Sequence, residues 1–119
     1  FQDALAVSDC ALISLEKGAT GLCVPSKTYS YMMEGIPLLA IMDRCDIVAD
    51  IASGAGKAFH NGESELLAQE IRAMRDDPQS VHAMGAHCRK LYLQKYTPKV
   101  CLSKYKTLFR ELLGPGGGA

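Results

Sequence analysis

Apolar positions along the chain fall into two kinds of pattern. Two runs are short and nearly unbroken: Cys10-Ala11-Leu12-Ile13-Ser14-Leu15 and Leu38-Leu39-Ala40-Ile41-Met42. A weaker third, Lys57-Ala58-Phe59-His60, ends at an Asn61-Gly62 turn. Short apolar runs bounded by turn residues read as strands, and the first two as strands buried on both faces of a parallel sheet. Between and after them the period lengthens to that of a helix. Residues 4–7 read as the last turn of one, closed by Ser8-Asp9. Ser26 is placed to cap the next, Gly35 to end it in a left-handed residue, and Pro37 to stop its continuing. Residues 46–53 form a short helix with Ile47 and Ile51 on one face, closed by Gly54 and Gly56. Over 63–75, Leu67, Ile71 and Met74 recur at helical spacing and face inward. Asp77-Pro78 and Thr97-Pro98 each place a cap before a proline at the first helical position. The stripes behind them are Val81, Met84, Cys88 and Leu91, then Cys101, Tyr105, Leu108 and Leu112.

The order strand-helix-strand-helix-strand, then three helices, is that of a right-handed parallel α/β layer. The expected fold is α/β and Rossmann-like, with about three parallel strands and helices on both faces. Three strands make a thin sheet, and the first is almost at Phe1. The layer therefore reads as half of a larger doubly wound domain, with an edge open to self-association. Residues 1–113 form this portion, and 114–119, glycine-rich, a flexible tail.

Composition narrows the function classes. A chain of 119 residues with 48% hydrophobic and 22% charged residues is an ordinary single-domain composition. Thirteen basic residues balance thirteen acidic ones, which argues against a nucleic-acid partner and a polybasic membrane anchor. No apolar run is long enough to span a bilayer, and no signal peptide opens the chain. The five cysteines, Cys10, Cys23, Cys45, Cys88 and Cys101, are odd in number and lack Cys-x-x-Cys spacing. They read as reduced, mostly buried thiols of a cytoplasmic protein rather than as a disulfide framework or metal site.

In open parallel sheets, ligands bind beyond the carboxyl ends of the strands. Those ends carry residues 16–25, 43–45 and 60–62. The first leads straight into Ser26-Lys27-Thr28, where backbone amides and the Lys27 charge would suit a phosphate or diphosphate. Asp43 is a lesser candidate for contact with a sugar hydroxyl. Gly54-Ala55-Gly56-Lys57 lacks the earlier glycine and the Ser/Thr of a phosphate loop and reads as a turn. His60, His82 and His87 lack metal-ligand spacing and read as surface residues. Of Tyr29 and Tyr31, one is expected in the core and one exposed, while Met32-Met33 reads as core packing.

The segment from Val24-Pro25-Ser26-Lys27-Thr28-Tyr29-Ser30-Tyr31 to Glu34-Gly35-Ile36-Pro37 resembles the Pro-Ser-Lys-x-Tyr…Gly-x-Pro segment of retaining, nucleotide-sugar-dependent glycosyltransferases. These are the family-four, or group 1, enzymes of GT-B architecture. Ser8-Asp9-Cys10-Ala11-Leu12-Ile13 is similar to their preceding strand. Residues 67–78, Met84-Gly85 and Tyr96-Thr97 are similar to their later helices, so the resemblance runs to about Leu113. It implies the later half of a nucleotide-sugar (donor) binding domain, whose other half and amino-terminal acceptor domain lie elsewhere. By this resemblance Ser26, Lys27 and Thr28 hold the donor diphosphate, and Gly21, Leu22 and Ser30 lie at the ribose or sugar. The family carries glutamates at the positions of Leu22 and Ser30, and this chain does not. Glu16, earlier in the same loop, is the remaining acidic candidate for a catalytic role. The implied reaction is sugar transfer from a nucleotide diphosphate sugar in polysaccharide or glycolipid synthesis, with no metal and no cofactor. The fragment alone is expected to be inactive, and any membrane contact to come from the absent domain at the inner membrane face. A non-catalytic nucleotide-sugar binding fragment and a GT-B nucleotide-sugar epimerase are the alternative readings.

Overall fold

The computed structural model describes residues 2–19 and 22–114. In chain order the elements are α1 (Gln2–Ala6), β1 (Ala11–Ser14), α2 (Lys27–Met33), β2 (Leu38–Ile41), α3 (Asp46–Asp50), β3 (Gly56–Phe59), α4 (Ser64–Asp76), α5 (Pro78–Lys95) and α6 (Pro98–Leu113). α3 runs into one wide turn, Ile51–Ala55, before β3. The strands form a parallel sheet in the order β1-β2-β3, with Ala11, Leu12, Ile13 and Ser14 opposite Leu38, Leu39, Ala40 and Ile41. The fold is therefore the expected α/β layer, an open parallel sheet with helices around it.

Alternation along the strands sorts residues onto two faces. Ile13, Leu38 and Ala40 share one face and join the main core with Met32, Ile47, Val48, Ile51, Cys88 and Leu91. On the other face Leu39 is buried, whereas Leu12, its registered neighbour, is half exposed at 49%. β2 is buried on both faces as its apolar run predicts, but β1 is not. As an edge strand of this sheet, β1 buries only Ile13 fully. The inward stripe expected for α4 is also only partly realised: Met74 is buried, Leu67 half-buried and Ile71 45% exposed.

Helix ends follow local chemistry at most boundaries. The Asp77 carboxylate accepts from the Ser80 amide and the Thr97 hydroxyl from the Val100 amide, each 3.2 Å away. Both caps precede a proline at the first helical position. α2 closes at Gly35, φ +71. The Gly35 amide bonds Met32 O and the Ile36 amide bonds Tyr31 O, the paired bonds of a Schellman closure.

Two glycines are required by close approach. A Cβ on Gly56 would lie 1.7 Å from the Leu38 carbonyl oxygen, and one on Gly85 2.4 Å from that of Gly35. Gly85 therefore lets α5 sit against the end of α2, where the Arg89 guanidinium donates to the Met33 carbonyl. Gly56 and Lys57 open β3 rather than lying in a turn.

The cysteines depart from expectation. Cys88 alone is buried; Cys10, Cys45 and Cys101 are half-buried and Cys23 is exposed. Cys88 packs in the main core, and burial pushes its thiol up to about 11. The three histidines are exposed as expected. The segment expected as a tail lies outside the described residues from 115 onward.

Candidate functional site

The carboxyl ends of the three strands meet at one end of the sheet, and two long-range hydrogen bonds tie their loops together. The Gly18 amide, in the loop after β1, donates to Asp43 Oδ2 after β2 at 2.9 Å. Asn61 Nδ2, after β3, donates to the Leu15 carbonyl at 3.1 Å. Gly18 has φ +88, a conformation that glycine adopts without strain. The loop tightens further through bonds from the Ala19 amide to Glu16 O and from the Leu22 amide to Ala19 O.

This braced loop delivers the chain to α2. Ser26 and Lys27 are exposed at its start. Ser26 does not cap the helix as expected. Its backbone is already helical, φ −63 and ψ −30, and its side chain makes no cap bond. The turn begins one residue earlier, with the Thr28 amide donating to Pro25 O at 3.1 Å. Thr28, the third diphosphate candidate, is placed differently from Ser26 and Lys27. Its side chain is fully buried, and its hydroxyl finds no hydrogen-bond partner among the described residues. A buried unpaired hydroxyl is costly and calls for a cause. Ser30 is half-buried one turn on, Leu22 is 85% exposed, and Glu16 is exposed in the loop. Gly21 lies outside the described residues.

The side of α2 away from the loop is held in place. Tyr29 and Tyr31 are both half-buried against the core, rather than divided between core and solvent. The Tyr29 ring lies 5.2 Å from that of Tyr96, tilted by 47°. Burial raises the Tyr29 phenol above its ordinary value, and Cys101 and Cys45 add to the effect. The Tyr96 hydroxyl donates to the Asp50 carboxylate, which also pairs with Lys95 at 2.9 Å. Burial works to raise Asp50. The bonds from Tyr96 and Lys95 and the charges of Lys95 and Lys104 outweigh it, and the carboxyl lies below its ordinary value. For Tyr96, burial and then the Asp50 bond push the phenol well up. Among the described residues, no group of three or more His, Cys, Asp and Glu is gathered as a metal site.

Sequence reasoning did not foresee the bracing among the loops at the carboxyl end of the sheet. Asp43, the lesser candidate for contact with a sugar hydroxyl, accepts from the Gly18 amide. Asn61 read only as a turn residue. Its bond to Leu15 spans forty-six positions, and the only local signal was its place just past a strand.

The fold is that of an α/β protein with an open three-stranded parallel sheet. Among proteins of known description, the chain is 29% identical over 109 residues to the probable glycosyltransferase WbjE of Pseudomonas aeruginosa. The match covers 92% of this chain and 27% of that protein, so the chain spans about a quarter of its relative's length. The likeness relates the chain to a glycosyltransferase sequence. No protein-family model matches it, and no solved structure matches it.

Proposed function

We propose that the chain is the donor-binding part of a GT-B glycosyltransferase resembling the group 1 enzymes. The whole enzyme transfers a sugar from a nucleotide diphosphate sugar to an acceptor, in polysaccharide or glycolipid assembly. The observation that carries the reading is the placement of Ser26 and Lys27. Both are exposed at the start of α2, directly after the loop that Asp43 braces at the carboxyl end of the sheet. The likeness to the probable glycosyltransferase supports it.

In this reading Ser26 and the Lys27 ammonium bind the donor diphosphate, and Thr28 supports them from beneath. Ser30 supplies one hydrogen bond near the ribose. Rate enhancement comes from donor placement and from stabilising the charge on the departing diphosphate. Leu22 and Ser30 supply no carboxylate, so Glu16 is left as the acidic group of the loop. Exposed Leu22 and Val24 suit a loop that faces the acceptor-binding part of the enzyme. A second reading, that this chain binds donor without turnover, rests on its spanning 27% of its relative.

Calorimetric titration of nucleoside diphosphates into the chain tests the assignment. Binding is expected for the wild type, with Lys27→Ala weakening it about tenfold, as for loss of one charge-assisted contact. Equal affinity in the two proteins removes Lys27 from the site, and absence of binding by every nucleoside diphosphate contradicts the reading.

A further inference from the structure

Three elements meet at the first turn of α2. Tyr29 lies in that turn, just after Lys27, and its ring leans on that of Tyr96 at 5.2 Å. α5 runs along α2 in the opposite direction. Gly85 and Arg89 press on the closing turn of α2, and Tyr96 comes about 16 Å further along. The two ends of α2 are therefore held differently. Backbone contact fixes the closing turn, whereas the first turn leans on a ring.

That ring is aimed from a third element. Tyr96 stands just past the end of α5, with φ −121 and ψ 5 outside the helical region. Its hydroxyl donates to the Asp50 carboxylate at the end of α3. The other oxygen of Asp50 accepts from Lys95 Nζ at 2.9 Å. The two bonds are unequal. The Lys95 side chain is 48% exposed, and an ion pair so exposed contributes little. The Tyr96 bond is partly buried and charge-assisted, and it fixes a rigid ring rather than a long flexible chain. A seven-residue helix is too short to hold its own shape, so the first turn of α2 keeps its place only while these neighbours do.

We propose that Asp50 and Tyr96 are positioning residues for the diphosphate-binding groups: through the Tyr29 ring they hold Ser26 and Lys27 in place. This role rests on the reading of Ser26 and Lys27 as the donor site. Every contact in the relay lies within the chain, and Asp50 and Tyr96 act on the ligand only through Tyr29.

Calorimetric titration of uridine and guanosine diphosphates into the full chain and its variants, well below each melting temperature, tests this. Tyr96→Phe keeps the ring and loses the hydroxyl; it and Asp50→Ala should each weaken binding about fivefold, as for one hydrogen bond. Because the two act through one bond, the double variant should bind no more weakly than either single variant. Asp50→Asn keeps an oxygen that can accept from Tyr96 and should bind within about twofold of the wild type. Lys95→Met should also stay within about twofold. In the unliganded 15N-labelled chain, Tyr96→Phe should move the Ser26, Lys27 and Thr28 amide signals. Wild-type affinity in Tyr96→Phe, with only its melting temperature lowered, overturns the positioning role and leaves the donor site standing. A wild-type chain that binds neither diphosphate contradicts the donor site itself, and the positioning role falls with it.

Discussion

α2 and α6 are both amphipathic helices, yet they are held in opposite ways. α2 has seven residues, too few to be stable alone, and its environment fixes it at every turn. Met32 and Thr28 are fully buried, Tyr29 leans on Tyr96, and Gly85 and Arg89 press against its closing turn. α6 has sixteen residues and a clear apolar stripe, but nothing in the fold covers that stripe. Amphipathic pattern marks a face that needs a partner and does not say which partner. The short helix carries the candidate chemistry because it is the one whose position is over-determined.

Variants that attack this contrast should rank accordingly. Gly56→Ala has the largest expected effect. Its Cβ would meet the Leu38 carbonyl at 1.7 Å, a backbone clash where β3 begins against the central strand. A loss of about 4 kcal/mol or more, or failure to fold, is expected in urea denaturation. Met32→Ala empties the core position that α2 itself fills and should cost about 2–5 kcal/mol. Gly85→Ala meets the Gly35 carbonyl at 2.4 Å and should cost about 1–3 kcal/mol. Leu108→Ala on α6 should move stability by no more than about 0.5 kcal/mol, as an exposed substitution. Near-equal costs for Met32→Ala and Leu108→Ala would show that α6 is packed after all.

The pH dependence adds a smaller test. Asp50 is depressed in the folded state by its bonds to Tyr96 and Lys95, despite burial. A depressed carboxyl stabilises the fold fully above its unfolded value of about 3.9, and the contribution is lost as pH falls toward the folded value. Asp50→Asn should therefore flatten the acid limb of a urea midpoint measured against pH. An unchanged acid limb would show that the carboxylate contributes nothing there.

Much of this architecture was legible locally. The run Leu38-Leu39-Ala40-Ile41 announces β2, Asp77-Pro78 and Thr97-Pro98 announce α5 and α6, and Gly35 announces the end of α2. Those signals are short-range, so pattern and cap chemistry suffice. Other features depend on what the fold brings near. β1 reads as doubly buried because Leu12 is apolar, but its position at a sheet edge leaves Leu12 half exposed. Ser26 is a good cap by type, but the turn from Pro25 to Thr28 had already begun. The brace from Asp43 to Gly18 joins a side chain to a backbone amide twenty-five positions away. No periodicity encodes such a bond. Ser26, Lys27 and Thr28 became candidates from the strand order and the helix start, Gly21, Leu22 and Ser30 through resemblance, and the bracing emerged only through coordinates.

The most direct measurement is a titration of uridine and guanosine diphosphates into the 15N-labelled chain, followed by amide chemical shifts. The account predicts saturable shifts at Ser26, Lys27 and the Gly18 loop, with α6 amides unmoved. Shifts confined to other surfaces, or none up to millimolar nucleotide, would contradict donor binding at the start of α2.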